Sequence, residues 1–122
     1  MRIGYDAKRA FCNHRGLGNY SRETIRIIGS HFPDCQMDLY TPKIDSTINF
    51  KCPENAEIIQ PKRSTLTSLW RTFGITKELK TRQLDLYHGL SHELPVGIEQ
   101  TGVPTVVTMH DLIFIRHPEL YP

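Results

Sequence analysis

Residues 17–32 repeat their bulkier side chains at helical spacing, through Leu17, Tyr20, Thr24, Ile27, Ile28 and Phe32, while Arg22, Glu23, Arg26 and Ser30 face elsewhere. Short apolar runs stand on either side: Arg2-Ile-Gly-Tyr5 before, and the alternating Gln36-Met-Asp-Leu-Tyr-Thr41 after, bounded by Pro42. A helix between two strands carries the chain back across a sheet, so the flanking runs are expected to lie parallel. Gly18 or Asn19 is the expected cap at the helix start, and Pro33 ends it.

The same alternation continues along the chain. Glu57-Ile-Ile-Gln60 reads as a short third strand stopped by Pro61. Residues 65–81 read as a second helix, with Leu66, Leu69, Trp70 and Phe73 on one side and a break at Gly74. Asp85-Leu-Tyr-His88 makes a fourth strand. Pro104-Thr-Val-Val-Thr-Met-His110 is a β-branched run of the kind that fits a fully buried parallel strand. The polar stretch 6–16 is expected to be loop. Strands alternating with helices predict an α/β fold, a Rossmann-like layered and mainly parallel sheet with flanking helices. Ligands of open sheets of this kind bind outside the carboxyl ends of the strands, which here lead into segments 6–18, 88–95 and 110–118.

At 122 residues the chain is one domain or part of one. Its 39% hydrophobic and 23% charged residues give a folding, not a disordered, balance. No stretch approaches the ~18 apolar residues of a membrane span, and Met1 leads straight into the first strand without a signal-peptide core. The expected compartment is therefore the cytoplasm. Cys12, Cys35 and Cys52 are an odd set with no Cys-x-x-Cys pair, which fits reduced thiols better than disulfides.

The net charge of +2 hides a strong patterning. Residues 1–30 hold six basic and two acidic side chains, and residues 61–82 hold six and one. The segments between and after them are acidic. Two basic blocks point either to anionic ligands or to solvated basic faces. Neither block alternates with aromatics or matches a nucleic-acid motif, so nucleic acid is not an expected partner. The stretch 61–82 has two readings, core packing of Leu69, Trp70 and Phe73 or peripheral contact with the inner face of an anionic membrane.

Three constellations carry chemistry. Arg15-Gly-Leu-Gly-Asn-Tyr-Ser-Arg22 lies between strand and helix, where glycines permit close backbone approach and free N–H groups favour an anion. Equally, Gly16 and Gly18 shape a tight turn. Ser21 stands where a dinucleotide fingerprint needs its third glycine, and no Gly-Lys-Ser/Thr of a P-loop is present. His110-Asp111 falls at the end of the last strand, where a carboxylate beside an imidazole orients it or holds a hydroxyl; the alternative is a capping Asp and a structural His. His88 and His92 are four apart in a segment broken by Gly89 and Pro95, which reads as a polar cleft loop and not as a helical metal pair. Tyr5 and Asp6 end the first strand and reach the same edge.

Taken in order, Ile-Gly-Tyr-Asp-Ala (3–7), Arg-Gly-Leu-Gly-Asn-Tyr (15–20), Tyr-His-Gly-Leu-Ser-His-Glu-Leu-Pro (87–95) and Val-Val-Thr-Met-His-Asp-Leu-Ile-Phe (106–114) resemble family-4 retaining glycosyltransferases of the GT-B fold, nearest the bacterial mannosyltransferase-like members. The resemblance implies an acceptor-side, N-terminal Rossmann-like domain over residues 1–122, incomplete at its carboxyl end and lacking the Glu-rich donor motif of the second domain. It implies hexose transfer, mannose being the first expectation, from a nucleotide-sugar to a glycan or lipid-linked acceptor with retention. The nucleotide-sugar is then a co-substrate; no cofactor or metal is expected. Gly16, Leu17 and Gly18 would meet the donor diphosphate, with Arg22 beside them on grounds of charge. His110 and Asp111 would be the catalytic pair. Tyr5, Asp6, Arg15, His88 and His92 would line the acceptor pocket. The chain alone is expected to be inactive, and its uncovered apolar face would favour a dimer. The rival expectation is a non-enzymatic α/β module that binds a glycan or an anion.

Overall fold

The computed structural model describes residues 1–61, 74–110 and Glu119. Five strands form one sheet: β1 (Arg2–Asp6), β2 (Gln36–Tyr40), β3 (Ala56–Ile59), β4 (Leu86–Gly89) and β5 (Thr105–Val107). Their order across the sheet is β3-β2-β1-β4-β5 and all four pairings are parallel. The fold is thus α/β and Rossmann-like, as the alternation of elements predicts. The strand order reverses at β1/β4, and the carboxyl ends of those two strands are where such a sheet is expected to bind a ligand.

Alternation along the strands sorts side chains onto two layers. Ile3, Tyr5, Met37 and Leu39 gather with Ala10, Phe11 and Ile25 beneath the helices α1 (Lys8–Cys12) and α2 (Gly16–His31). On the opposite face Tyr40 and Tyr87 meet Ile75, Leu79, Leu84 and Ile98. That face is covered by α3 (Ile75–Arg82) and a 3-10 turn over Ile98–Thr101, joined by the Thr76 hydroxyl donating to the Val96 carbonyl at 2.7 Å. Gly4 makes room for the aromatic pair: a Cβ there would press on Leu84, Tyr87 and Tyr40.

Several expectations change. The stretch 6–16 is not all loop, because Ala10 and Phe11 bury themselves and wind α1. The buried face of α2 is Gly18, Ser21, Ile25 and Gly29, whereas Tyr20, Ile27 and Phe32 are exposed. Small side chains win this face because they let the helix lie close to the sheet; a Cβ on Gly29 would collide with Pro53 and Met37. α2 begins at Gly16 with Arg15 as N-cap, so neither Gly18 nor Asn19 caps it, and Arg22 lies beyond the first turn. The run expected to be fully buried is β5, a three-residue edge strand whose Val106 and Val107 are 45% and 38% exposed. Its position, with β4 as its only neighbour among the described residues, explains that exposure. Most of the expected helix at 65–81, including Leu66, Leu69, Trp70 and Phe73, lies outside the described residues; α3 accounts for its end.

A carboxylate sits in the second layer. Asp38, fully buried in the middle of β2, accepts two bonds from the last residue of α3, Arg82, through Nε at 3.2 Å and Nη2 at 3.1 Å. Arg82 also bonds Glu57 on β3, and the Arg2 guanidinium stands 3.9 Å from Asp38. A buried carboxylate tolerates its site only while paired, so removing its fork is strongly destabilising. Arg82→Met is expected to lower unfolding free energy by about 3 kcal/mol, read by urea denaturation. A loss below ~1 kcal/mol would show that Arg2 alone suffices for Asp38.

Candidate functional site

The carboxyl ends of β1, β4 and β5 meet the start of α2 in one corner, and its geometry begins with register. Tyr5 of β1 lies beside His88 of β4, which lies beside Val106 of β5. All three side chains therefore point to the α2 side, and Thr108, two residues on, continues the row. The Tyr5 and His88 rings are 5.6 Å apart. The Thr108 hydroxyl sits 2.7 Å from His88 Nε2 and 3.3 Å from the Tyr20 hydroxyl of α2. His88, Thr108 and Tyr20 thus form a hydrogen-bonded chain from the sheet to the helix.

His110 is held from three sides. Its Nε2 donates to the Leu90 carbonyl at 2.6 Å, which assigns the proton of the neutral ring to that nitrogen and leaves Nδ1 as acceptor. Tyr20 packs edge-on against it with centroids 4.7 Å apart, and His92 lies at 5.1 Å. The His110 backbone N–H donates to His92 Nε2 at 3.3 Å. His92 has a φ of 66°, a left-handed backbone held in place by its own N–H donating to the Thr108 carbonyl at 3.0 Å. Gly89 permits this loop, since a Cβ there would run into the Glu93 carbonyl oxygen.

The α2 turn is built differently from a phosphate cradle. The Asn13 side-chain oxygen accepts from the backbone N–H of Arg15 at 2.8 Å and of Gly18 at 3.3 Å. A Cβ on Gly18 would fall onto the Asn13 carbonyl oxygen, so this glycine serves the approach of two backbone segments. Gly16 is different: it is exposed and has open space where a Cβ would be. Arg22 donates through Nη1 to the carbonyls of Ala10 and Asn13, at 2.9 and 2.8 Å, and through Nη2 to Asn19 at 2.7 Å. Its guanidinium closes the carboxyl end of α1.

Of the residues singled out from the sequence, His88, His92 and His110 come together half-buried, with Arg15, Gly16 and Leu17 on the neighbouring turn. Tyr5 and Asp6 are only 2% and 4% exposed and belong to the floor of the corner. Asp6 accepts from the Lys8 N–H at 3.3 Å, bracing the entry to α1. Asp111 lies outside the described residues. Tyr20 and Thr108 join the site without having been singled out for it. Their one signal was position: Tyr20 opens the helix after the glycine turn, and Thr108 stands two residues before His110.

Burial sets the protonation of the floor. It pushes the Tyr5 phenol up to about 12 and lowers the His88 imidazole below its ordinary range, so both stay neutral near pH 7. Among the described residues no three His, Cys, Asp or Glu side chains gather to hold a metal, and no helix is long and apolar enough to cross a membrane. Three described concavities of about 400 to 490 Å³ lie elsewhere, along α2 and the segment 49–55 and at the amino-terminal edge by Met1 and Cys35.

Two outcomes follow from this geometry. Gly18→Ala should lower unfolding free energy by about 2 kcal/mol through overpacking, whereas Gly16→Ala should be neutral or mildly stabilising, as read by denaturant titration. Tyr5 has a raised folded pKa, so its stabilisation is complete below pH ~10 and lost as pH rises toward ~12. Over that window Tyr5→Phe should lose less stability than the parent chain, measured by thermal melts at fixed pH.

Set against known proteins, the chain matches no family model, no curated protein and no solved structure.

Proposed function

We propose that this domain is the acceptor-side wall of a retaining glycosyltransferase cleft, transferring a hexose, mannose first, from a nucleotide-sugar to a glycan or lipid-linked acceptor. The observation that carries the reading is the corner at the β1/β4 reversal, where His88, His92 and His110 meet Tyr20 and Thr108 beside the exposed turn at Gly16. Imidazoles of assigned tautomer, together with hydroxyls, match the alternating donors and acceptors of a sugar's hydroxyl groups. His110 Nδ1 is the acceptor that meets a hydroxyl of the transferred sugar. The N–H groups of exposed Gly16 and half-buried Leu17, at the start of a sixteen-residue helix, favour the departing diphosphate. Arg15 is the basic side chain of that turn, since Arg22 is engaged within the fold. A donor domain facing this corner completes the cleft, and the reaction proceeds without metal at the cytoplasmic side of the membrane.

The internal engagement of Arg22 and Gly18 favours one alternative, a module that binds a glycan without transferring it. Backbone amide NMR separates the two. Under the transferase reading, a mannose-terminated oligosaccharide shifts amides of residues 88–92 and 108–110, and a nucleotide-sugar shifts those of 16–18. Shifts with the oligosaccharide alone would favour the binding module, and no shift at either set would sink both readings.

A further inference from the structure

Two hydrogen bonds at this corner specify opposite roles for neighbouring imidazoles. His110 Nε2 must carry a proton, because its partner is the Leu90 carbonyl. His92 Nε2 must lack one, because its partner is the backbone N–H of His110. A protonated imidazole has donors at both nitrogens and cannot accept that N–H. The loop after β4 is therefore tied to the end of β5 by a contact that only neutral His92 makes.

We propose that His92 is an acid-sensitive latch: protonation of its imidazole releases the His110 backbone and opens the corner between the β4 loop and the end of β5. Only the neutral ring makes this contact, so the latch is closed while His92 is neutral and yields when acid protonates it. One neighbouring contact reinforces the release. The new His92 Nε2–H then faces the His110 N–H, donor against donor, with the two ring centroids 5.1 Å apart. The other titratable groups facing the corner among the described residues are Tyr5 from β1, Tyr20 from α2 and His88 from β4, with Glu93 adjoining in the loop itself. Tyr5 and His88 are kept neutral by burial.

What remains tied at low pH also follows. The His92 N–H to Thr108 carbonyl bond and the Thr108 N–H to Gly89 carbonyl bond involve no titratable atom and keep the loop attached. The opening is therefore local, at residues 109–110, and not a general unfolding. This device regulates access to the corner whatever the corner binds, and its failure would leave the glycosyltransferase reading standing.

Amide hydrogen exchange resolved by NMR between pH 5 and 8, corrected for intrinsic exchange, tests it. Protection of the His110 amide should fall by about tenfold per pH unit once the ring takes up its proton, as linkage to one proton requires. In His92→Gln a side-chain oxygen of similar reach accepts the N–H at every pH, and protection should stay flat. Protection independent of pH in the parent chain, or an identical fall in His92→Gln, would overturn the latch. Should His92→Gln fail to fold, the ring nitrogen shifts of His92 in the parent chain decide: a bare Nε2 at pH 8 supports the latch and a proton there refutes it.

Discussion

A single buried carboxylate dictates how the second layer of this domain assembles. Asp38 occupies the centre of β2, fully buried beside Tyr40, and its fork-like partner Arg82 arrives from the last position of α3. The bond can form only if α3 runs at one height and one angle over the sheet. A misplaced α3 would leave a desolvated charge, and that penalty exceeds anything a few apolar contacts would return. Gly4 and the Tyr40–Tyr87 pair then fill the space beside the ion pair. The pair thus selects a docking geometry for the helix more than it adds net stability.

Much of the architecture was legible because it rests on periodicity. Five strands fall where short apolar runs stand, and the helix between β1 and β2 announces their parallel pairing, although β2 and β3 pair parallel with no helix between them. What failed was the orientation of α2. A hydrophobic stripe through Tyr20, Ile27 and Phe32 promised the buried face, yet Gly18, Ser21, Ile25 and Gly29 take it, since closeness of packing outweighs the size of what is packed. The same weakness hid α1, whose two buried residues are too few to show a period. Asp38 was invisible as a buried group, because a lone Asp in an alternating strand reads as its solvent side.

The candidate site was legible in part, through chain position. Strand-end histidines are placed by topology: His92 and His110 do meet, and His88 joins their corner through Thr108. The roles of the glycine turn were not legible, since a glycine that admits a ligand and one that admits a neighbouring carbonyl look alike in sequence. Here Gly16 has open space and Gly18 has Asn13 against it. Arg22 shows the same limit: its charge was plain, but the carbonyls that absorb it come from α1, an element the sequence did not announce.

The outward stripe of α2 carries a consequence for how such a domain changes over time. Its grip on the sheet comes from Ile25 and the close approach that Gly18, Ser21 and Gly29 allow, so Ile27 and Phe32 bear little of the work of holding it. Substitutions there alter the outer surface while leaving the fold nearly untouched. The helix is in effect a replaceable façade on a fixed frame. New surfaces can be acquired along it without disturbing the strand ends where the histidines gather.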